Sequence, residues 1–455
     1  MKRSTDSNVL MSIQENNMIF VSAQPDTTYF HWQVEIYLYQ FAKHGIADRC
    51  YALFGYTGSS PSSYAKSLSK KFLNIKFYKD ERKQNDYSPT IRPHILAKFF
   101  KENPLLGKNV FYHDSDIFLT KLPRFDLMLR PTDNTAYVSN TISYIGYEYL
   151  KDCSNRYKSK YESIPDQEIF KGMCNVVGIN PKLVISNQNN SGGAQYLLKN
   201  IDEKFWLRCE KKCIELYSYL SDYEKRYPID DHIQKWTTDM WVVLWLYWKK
   251  GGKTLIHKEL DFSWATSTIK EYNNLNIFHL AGVTESTCSD KFYKGRFTKK
   301  TIFDVYIKNP KIFDNIDKNN ATYPYTEIIK EYVHQSDKYL LTNLKDFESD
   351  SLKEIESDSL DEIESKMIIK FRLDTKELFN GVYYQDRNVK CCNRFIWRSE
   401  NNVYIIFWTG THWIITHSMY EDQIGPECGG IISNISDKPY HGSWNGSRMI
   451  TITVL

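Results

Sequence analysis

The chain has 455 residues, 42% of them hydrophobic and 25% charged, with a formal net charge of +4 at pH 7. That balance is ordinary for a soluble globular protein, and the length allows two domains. There is no large basic block to support nucleic-acid binding, and the longest strongly apolar run, Met240 to Trp248, is too short to span a bilayer.

The opening residues, MKRSTDSNVLMSIQENN, lack the apolar core of a signal peptide. Nine Cys leave at least one unpaired if disulfides form, and no pair of CxxC spacings marks a zinc site. The expectation is a reducing, cytoplasmic setting. Abundant Asn, Lys, Tyr and Ile suggest an AT-rich coding genome, such as that of a large DNA virus or a protist. The setting would then be the host cytoplasm.

In chain order, Met18 to Ser22 reads as a first strand, broken at Gln24-Pro25-Asp26. A helical pattern follows from about Tyr29 to His44, closed by Gly45. Tyr51 to Gly55 and Ile75 to Tyr78 are the next strands, with a Gly/Ser/Pro loop from Tyr56 to Ser63 after the first of them. Ile91 to Lys101 is helical, with Pro93 in its first turn. Strands alternating with helices predict a mainly parallel, covered sheet. Glu327 to Leu344 looks helical. Glu348 to Ser365 is a duplication, ESDSLKEI then ESDSLDEI, whose acidic composition suggests a solvated helix or a linker. From Met367 to Leu455 apolar and polar positions alternate, which predicts β structure. Trp397, Trp408, Trp413 and Trp444 there read either as a sugar-stacking surface or as the core of a small β domain. The predicted division is 1–310, a helical and acidic linker over 311–366, and a β-rich module over 367–455.

The segment KNVFYHDSDIFLT, Lys108 to Thr120, carries the most chemistry. An apolar strand ends in His113-Asp114-Ser115-Asp116, which delivers two carboxylates to the rim of a sheet. Asp114 and Asp116 can share one hard divalent cation, and that cation can grip a diphosphate. The competing reading is an ordinary acidic turn after a strand.

Other segments supply further parts. Asn276 to Gly282 (NIFHLAG) brings His279 to the end of a strand-like run, as a third metal ligand or as a structural His near a turn. Lys291 and Lys294 offer charge for a diphosphate, or form an exposed basic loop. Asn187 to Gln195 (NQNNSGGAQ) offers amides and close backbone approach through Asn190, Gly192, Gly193 and Gln195, or is a polar loop before a helix at Tyr196. Asp239, in the apolar WTTDMWVVLWLYW, is either functional or an acid in a helix first turn capped by Thr237 or Thr238. Asp261 is a second carboxylate candidate of the same kind.

With these pieces placed, a resemblance emerges. Tyr29-Phe30-His31-Trp32-Gln33 is similar to the YFxWQ segment of plant-type peptidyl serine and hydroxyproline O-glycosyltransferases. Arg92-Pro93-His94-Ile95-Leu96 resembles their RPxxL helix start, and His113-Asp114-Ser115-Asp116 their DxD strand. More distantly, His279 and Gly282 resemble the HxxG motif of glycogenin-like enzymes, with Lys291 and Lys294 further on than that motif expects. The resemblance covers roughly Met18 to Lys300. It implies an α/β GT-A (Rossmann-like) domain, a UDP-sugar donor, Mn²⁺ (or Mg²⁺), and a hydroxyl acceptor on a peptide or glycan. It implies Asp114, Asp116 and His279 as metal ligands, Arg92 on the donor side, and Ser22 to Gln24 near the uracil. On the acceptor side, Asp239 or Asp261 would act as base or as stabiliser of the cationic transition state. Two other classes share parts of the pattern. A haloacid dehalogenase-type phosphohydrolase also carries DxD at a strand end, but needs Thr or Val soon after the second Asp, where this chain has Ile117 and Phe118. A non-catalytic sugar-binding protein could keep the same fold.

Overall fold

In the computed structural model, residues 18–335 are described apart from 84–85 and 130–133, together with strands between 370 and 454. The chain divides into two units, Met1–Thr342 and Asn343–Leu455.

The first unit grows from an apolar strand. β1 (Met18–Pro25) is buried at every position but the last, so both of its faces are covered. A break at Asp26 and Thr27 leads into helix α1 (Thr28–Lys43), and then come β2 (Cys50–Tyr56), α2 (Ser63–Lys71), β3 (Ile75–Lys79), α3 (Ile91–Glu102) and β4 (Asn109–Tyr112). β3, β2, β1 and β4 lie side by side and all pair in parallel. This is the Rossmann-like half; its four strands and helices α1 and α3 follow the order expected from the sequence, and α2 is a further helix, not among those expected.

The second half departs from a purely parallel plan. β5 (Ile117–Leu119), β6 (Thr135–Asn140), helices α4 (Tyr147–Lys160) and α5 (Glu168–Val177), β7 (Gly192–Lys199), α6 (Glu203–Arg226), α7 (Thr238–Lys249) and β8 (Lys253–Ile256) follow. The seven-stranded sheet has the order β3-β2-β1-β4-β7-β6-β8. β7 runs antiparallel to both β4 and β6, while β6 and β8 pair in parallel. Tyr112, the last residue of β4, faces Tyr196. The inverted direction therefore carries the start of β7, Gly192 to Gln195, past the end of β4 and toward the two aspartates. A small second sheet, β5-β10-β9, is made with β9 (Phe262–Trp264) and β10 (Ile277–His279).

Together these elements are the Rossmann-like α/β arrangement expected from the sequence, with the β-rich unit after it. That unit is one eight-stranded sheet in which every pairing is antiparallel. Trp397 is buried there with Ile396 and Ile406, as the core reading requires. The side chains of Trp408, Trp413 and Trp444 lie outside the described residues, as does the acidic duplication at 348–365. No described helix is long and apolar enough to cross a membrane.

Residues 322–335 are helical, and 336–344 of that expected helix lie outside the described residues. This helix is tied to the first unit through α1. Glu35, 1% exposed, accepts from the hydroxyls of Tyr64 and Tyr332 and, at 2.8 Å, from the Lys71 ammonium. Lys43 and Tyr39 both reach Glu331 at 2.7 Å. Glu35→Ala strands two tyrosine hydroxyls in a buried setting, and an unsatisfied buried donor costs about 1–3 kcal/mol. The expected result in urea unfolding is a loss of about 2–3 kcal/mol at an unchanged m-value.

Candidate functional site

β4 stops at Tyr112, and the turn that follows places Asp114 and Asp116 at the carboxyl edge of the parallel strands. β5 then pairs antiparallel with β10, setting His279 opposite Ile117, and Leu280 N–H donates to the Asp116 carbonyl at 2.9 Å. This short pairing brings residues distant in sequence into one cluster. His279 Nε2 lies 3.3 Å from Asp116 Oδ1 and 3.8 Å from Asp114 Oδ2. One ligand atom from each of the three falls within 4.8 Å of the others. The imidazole is fixed from behind, stacked on Trp264 with centroids 5.6 Å apart and with Nδ1 3.4 Å from Gln195 Nε2. Gln195 is itself held by Ser139 Oγ at 2.6 Å. Gly282, three residues on, has φ of +95°, a backbone state that glycine enters without a Cβ penalty.

Two cations answer the carboxylates. The Lys294 ammonium pairs with Asp116, and Arg92, from the first turn of α3, lies 2.7 Å from Asp114 Oδ1 and 3.1 Å from Asp239 Oδ2. Lys294 is positioned by its flanks: Phe292 and Phe297 stack at 5.4 Å and pack edge-on against Trp32, whose indole N–H donates to the Phe297 carbonyl at 3.0 Å. Burial alone would raise the Asp116 carboxyl, but Lys294 and His279 outweigh it and hold it well below the usual carboxylate range. Burial alone would lower Lys294, and Asp116 with its neighbours holds it above the usual ammonium value.

Asp114, Asp116, His279 and Lys294 line a cavity of about 230 Å³ with Ala23, Tyr29 and Gln33. A neighbouring cavity of about 190 Å³ shares Arg92, Asp114, Ala194, Trp236 and Met240 with it and adds Tyr112, Tyr196 and Asp239. Asp239 sits in the first turn of α7, where Thr237 occupies the N-cap position without a side-chain cap bond. Burial raises its carboxyl above the usual range, against the pull of Arg92. Tyr87 fixes it, donating to Asp239 Oδ1 at 2.8 Å and to the Trp236 carbonyl at 2.7 Å. Tyr196, 3% exposed, presents a buried hydroxyl with no hydrogen-bond partner. Gly193 makes room for it, since a Cβ there would lie 2.4 Å from that hydroxyl oxygen. Ala194, which lines both cavities, holds φ of +65°, uncommon for a residue with a side chain.

Of the residues singled out from the sequence, Asp114, Asp116, His279, Arg92, Lys294 and Asp239 converge here. Gln195 stands behind His279. Gly192 and Gly193 contribute close backbone packing, with Ala194 exposed to the cavities in their place. The others are elsewhere. Lys291 pairs with Asp290 at 2.6 Å, and the Asn190 carbonyl accepts from Thr254. Asp261 lines neither cavity, and its Oδ1 is buried without a partner. Ser22 and Gln24 point inward, to the Tyr37 hydroxyl and the Leu53 carbonyl, so it is Ala23 between them that meets the cavity. Alternation along β1 makes that choice. Sequence reasoning passed over Tyr87, Ala194 and Tyr196 as site residues, along with the aromatic rim of Tyr144, Trp236 and Trp264. Nothing in their local pattern separates them from core aromatics and small residues.

No family model matches the chain, and no curated protein matches it. Solved structures do resemble it. The bifunctional glycosyltransferase WbbM in its apo form is 9% identical, over 66% of this chain and 51% of that one, with a TM-score of 0.36. The galactosyltransferase LgtC, in complex with donor and acceptor sugar analogues, is 14% identical over 62% and 94%, with a TM-score of 0.30. Mouse xyloside xylosyltransferase 1, apo form, is 9% identical over 59% and 98%, with a TM-score of 0.30. The chain spans about half the length of WbbM, at 51%.

His113, beside the aspartates, yields a pH prediction. It is 1% exposed, packs on Tyr37, Phe41 and Phe111, and its Nε2 has no partner. Burial pushes its pKa down to about 4. The unfolded chain therefore takes up the proton first as pH falls, so stability present above the unfolded pKa of about 6.5 is lost on the way down to pH 4. Between those limits the native chain is expected to lose about 3 kcal/mol more than His113→Gln does, read from urea unfolding at each pH.

Proposed function

We propose that the chain is a metal-dependent glycosyltransferase that moves a sugar from a UDP-sugar to a hydroxyl acceptor, on a glycan or on a peptide serine or hydroxyproline. The observation that carries this reading is the convergence of Asp114, Asp116 and His279 with Lys294 at the carboxyl edge of a parallel sheet, in a cavity that continues into a second one holding a buried carboxylate.

Two carboxylates and an imidazole suit a borderline-hard divalent cation, Mn²⁺ or Mg²⁺. Asp114, Asp116 and His279 would hold it, and when bound it would supply positive charge to the leaving nucleoside diphosphate. Lys294, already within the cavity, adds a fixed charge for the same oxygens. Ala23, Tyr29, Phe30 and Gln33 offer the nucleoside a mixed apolar and amide wall. The second cavity would take the transferred sugar, with the Tyr196 hydroxyl free to bond one of its hydroxyls. The acceptor oxygen attacks the anomeric carbon, the bond from that carbon to the diphosphate oxygen breaks, and the diphosphate leaves with the electron pair. Asp239 would take the acceptor proton, and the rise of its carboxyl by burial supports that role. All these residues belong to the first unit. The phosphohydrolase alternative has less support, because Ile117 and Phe118 follow the second aspartate and the pair stands after the fourth strand.

Calorimetry tests the reading. UDP is expected to bind more tightly with Mn²⁺ than with EDTA, because the two aspartates repel a diphosphate without a cation between them. His279→Ala should weaken the Mn²⁺-dependent part of UDP binding by about tenfold or more while the ligand-free melting temperature changes little, since the ring is a ligand at the cavity edge. Equal UDP affinity with Mn²⁺ and with EDTA would remove the metal role. Asp239→Asn should retain Mn²⁺-dependent UDP binding and lose transfer by about a hundredfold or more.

A further inference from the structure

An exposed tryptophan stands where the two cavities meet. Trp236 is 57% exposed, which is unusual for so large an apolar side chain, and it lines both cavities. Its backbone is not free to move aside, because Tyr87 bonds its carbonyl and the adjacent Asp239 carboxylate together. Its ring is backed on one side by Tyr144, near-parallel at 28° with centroids 6.2 Å apart. Tyr144 in turn contacts Trp264 at 6.2 Å, and Trp264 stacks on the proposed metal ligand His279. The result is a braced indole facing outward, beside a cavity that contains Asp239 and the unpartnered Tyr196 hydroxyl.

We propose that the acceptor is a saccharide whose pyranose ring stacks on Trp236 while one of its hydroxyls is directed toward Asp239. This rests on the glycosyltransferase reading and names its acceptor class. A pyranose has a flat C–H face that suits an indole and a rim of hydroxyls that need polar partners. The site offers those two features side by side. A hydroxyproline-rich peptide also binds aromatic side chains, but it is a polyproline helix that repeats about every 9 Å and docks along a row of separated rings. Here Tyr144, Trp236 and Trp264 form one contiguous aromatic cluster, in which Trp236 is the ring that stands exposed. One platform fits one ring.

The test uses the full chain with Mn²⁺ and whichever of UDP-glucose, UDP-galactose or UDP-xylose it hydrolyses fastest. Acceptor probes are methyl glycosides of glucose, galactose, mannose and xylose, set against serine and hydroxyproline peptides, with products read by mass spectrometry. The expected result is transfer to at least one glycoside. Trp236→Ala should then raise the KM for that glycoside by about tenfold, with a far smaller change in UDP affinity, and Trp236→Phe should recover most of the loss. A merely structural Trp236 would shift both affinities together or neither. Transfer to the peptides and not the glycosides would overturn the saccharide proposal and leave the glycosyltransferase reading standing. So would an acceptor KM within twofold of wild type in Trp236→Ala. No hydrolysis of any donor by the wild-type chain would overturn the parent reading itself, and the proposal with it.

Discussion

The structure of the site depends on one electrostatic constraint: two aspartates, one residue apart and pushed toward the interior, have to be compensated. Asp116 is 7% exposed, so its charge persists only because polar and cationic groups face it. Each compensating group comes from a different element. Arg92 arrives on α3, Lys294 on the segment between Phe292 and Phe297, and His279 at the end of β10. The fold can be read as the set of connections that bring these three to the end of β4. Antiparallel pairing of β5 with β10 does this for the histidine. The aromatic clamp of Trp32 on Phe292 and Phe297 does it for the lysine. The contact between α3 and α6, made partly by His94 to Glu210 at 3.0 Å, helps fix the helix that carries the arginine.

The motifs that prompted the family resemblance divide along the same line. In the YFxWQ segment, Tyr29, Phe30 and Gln33 face the cavity, whereas His31 and Trp32 are structural. His31 pairs with Asp26 at 2.5 Å, and Asp26 also takes the Ser62 amide and hydroxyl, which ties the loop after β2 to the start of α1. In the RPxxL segment only Arg92 reaches the site, while Ile95 and Leu96 are fully buried. A motif of this kind marks the point where a core helix turns its first residues toward a ligand cavity, so site and packing residues alternate within it.

Much of this was legible in the sequence because strong periodicity and strong chemistry coincided. Strands β1 to β4 and helices α1 and α3 could be placed because uninterrupted apolar runs alternate with capped helical patterns. Asp114, Asp116 and His279 stood out because charged or ligating side chains at the ends of apolar strands need a reason to be there. What was not legible followed from contacts distant in sequence. The helix expected at Tyr196 is instead strand β7, buried at every position, and nothing local says that it runs antiparallel, the direction that delivers Ala194 and Gln195 to the site. Ser22 and Gln24 were drawn by position near a strand end, and the one-residue alternation of β1 put Ala23 there instead. Lys291 and Lys294 look equivalent as a basic pair. They differ because Asp290 neutralises one and the Trp32 clamp aims the other. Trp236 and Trp241 look equivalent as letters of an apolar stretch, but Trp236 precedes α7, in the short 3-10 turn Lys235–Thr237, and faces outward, while Trp241 is fully buried.

Arg92 links the two halves of the proposed chemistry. Its guanidinium touches Asp114 on the donor side and Asp239 on the acceptor side. The Asp239 carboxyl is pulled down by Arg92 and pushed up by Asp114, in addition to the larger push from burial. The basicity of Asp239 is therefore set partly by the charge state of the donor site. Any cation that engages Asp114 weakens its repulsion of Asp239 and at the same time frees Arg92 to lean toward Asp239. Both effects stabilise the ionised carboxylate, the form that can accept a proton from an acceptor hydroxyl. Both contacts are made by one guanidinium nitrogen, Nη1, so the two carboxylates share a single point of positive charge, and the coupling between the cavities is electrostatic.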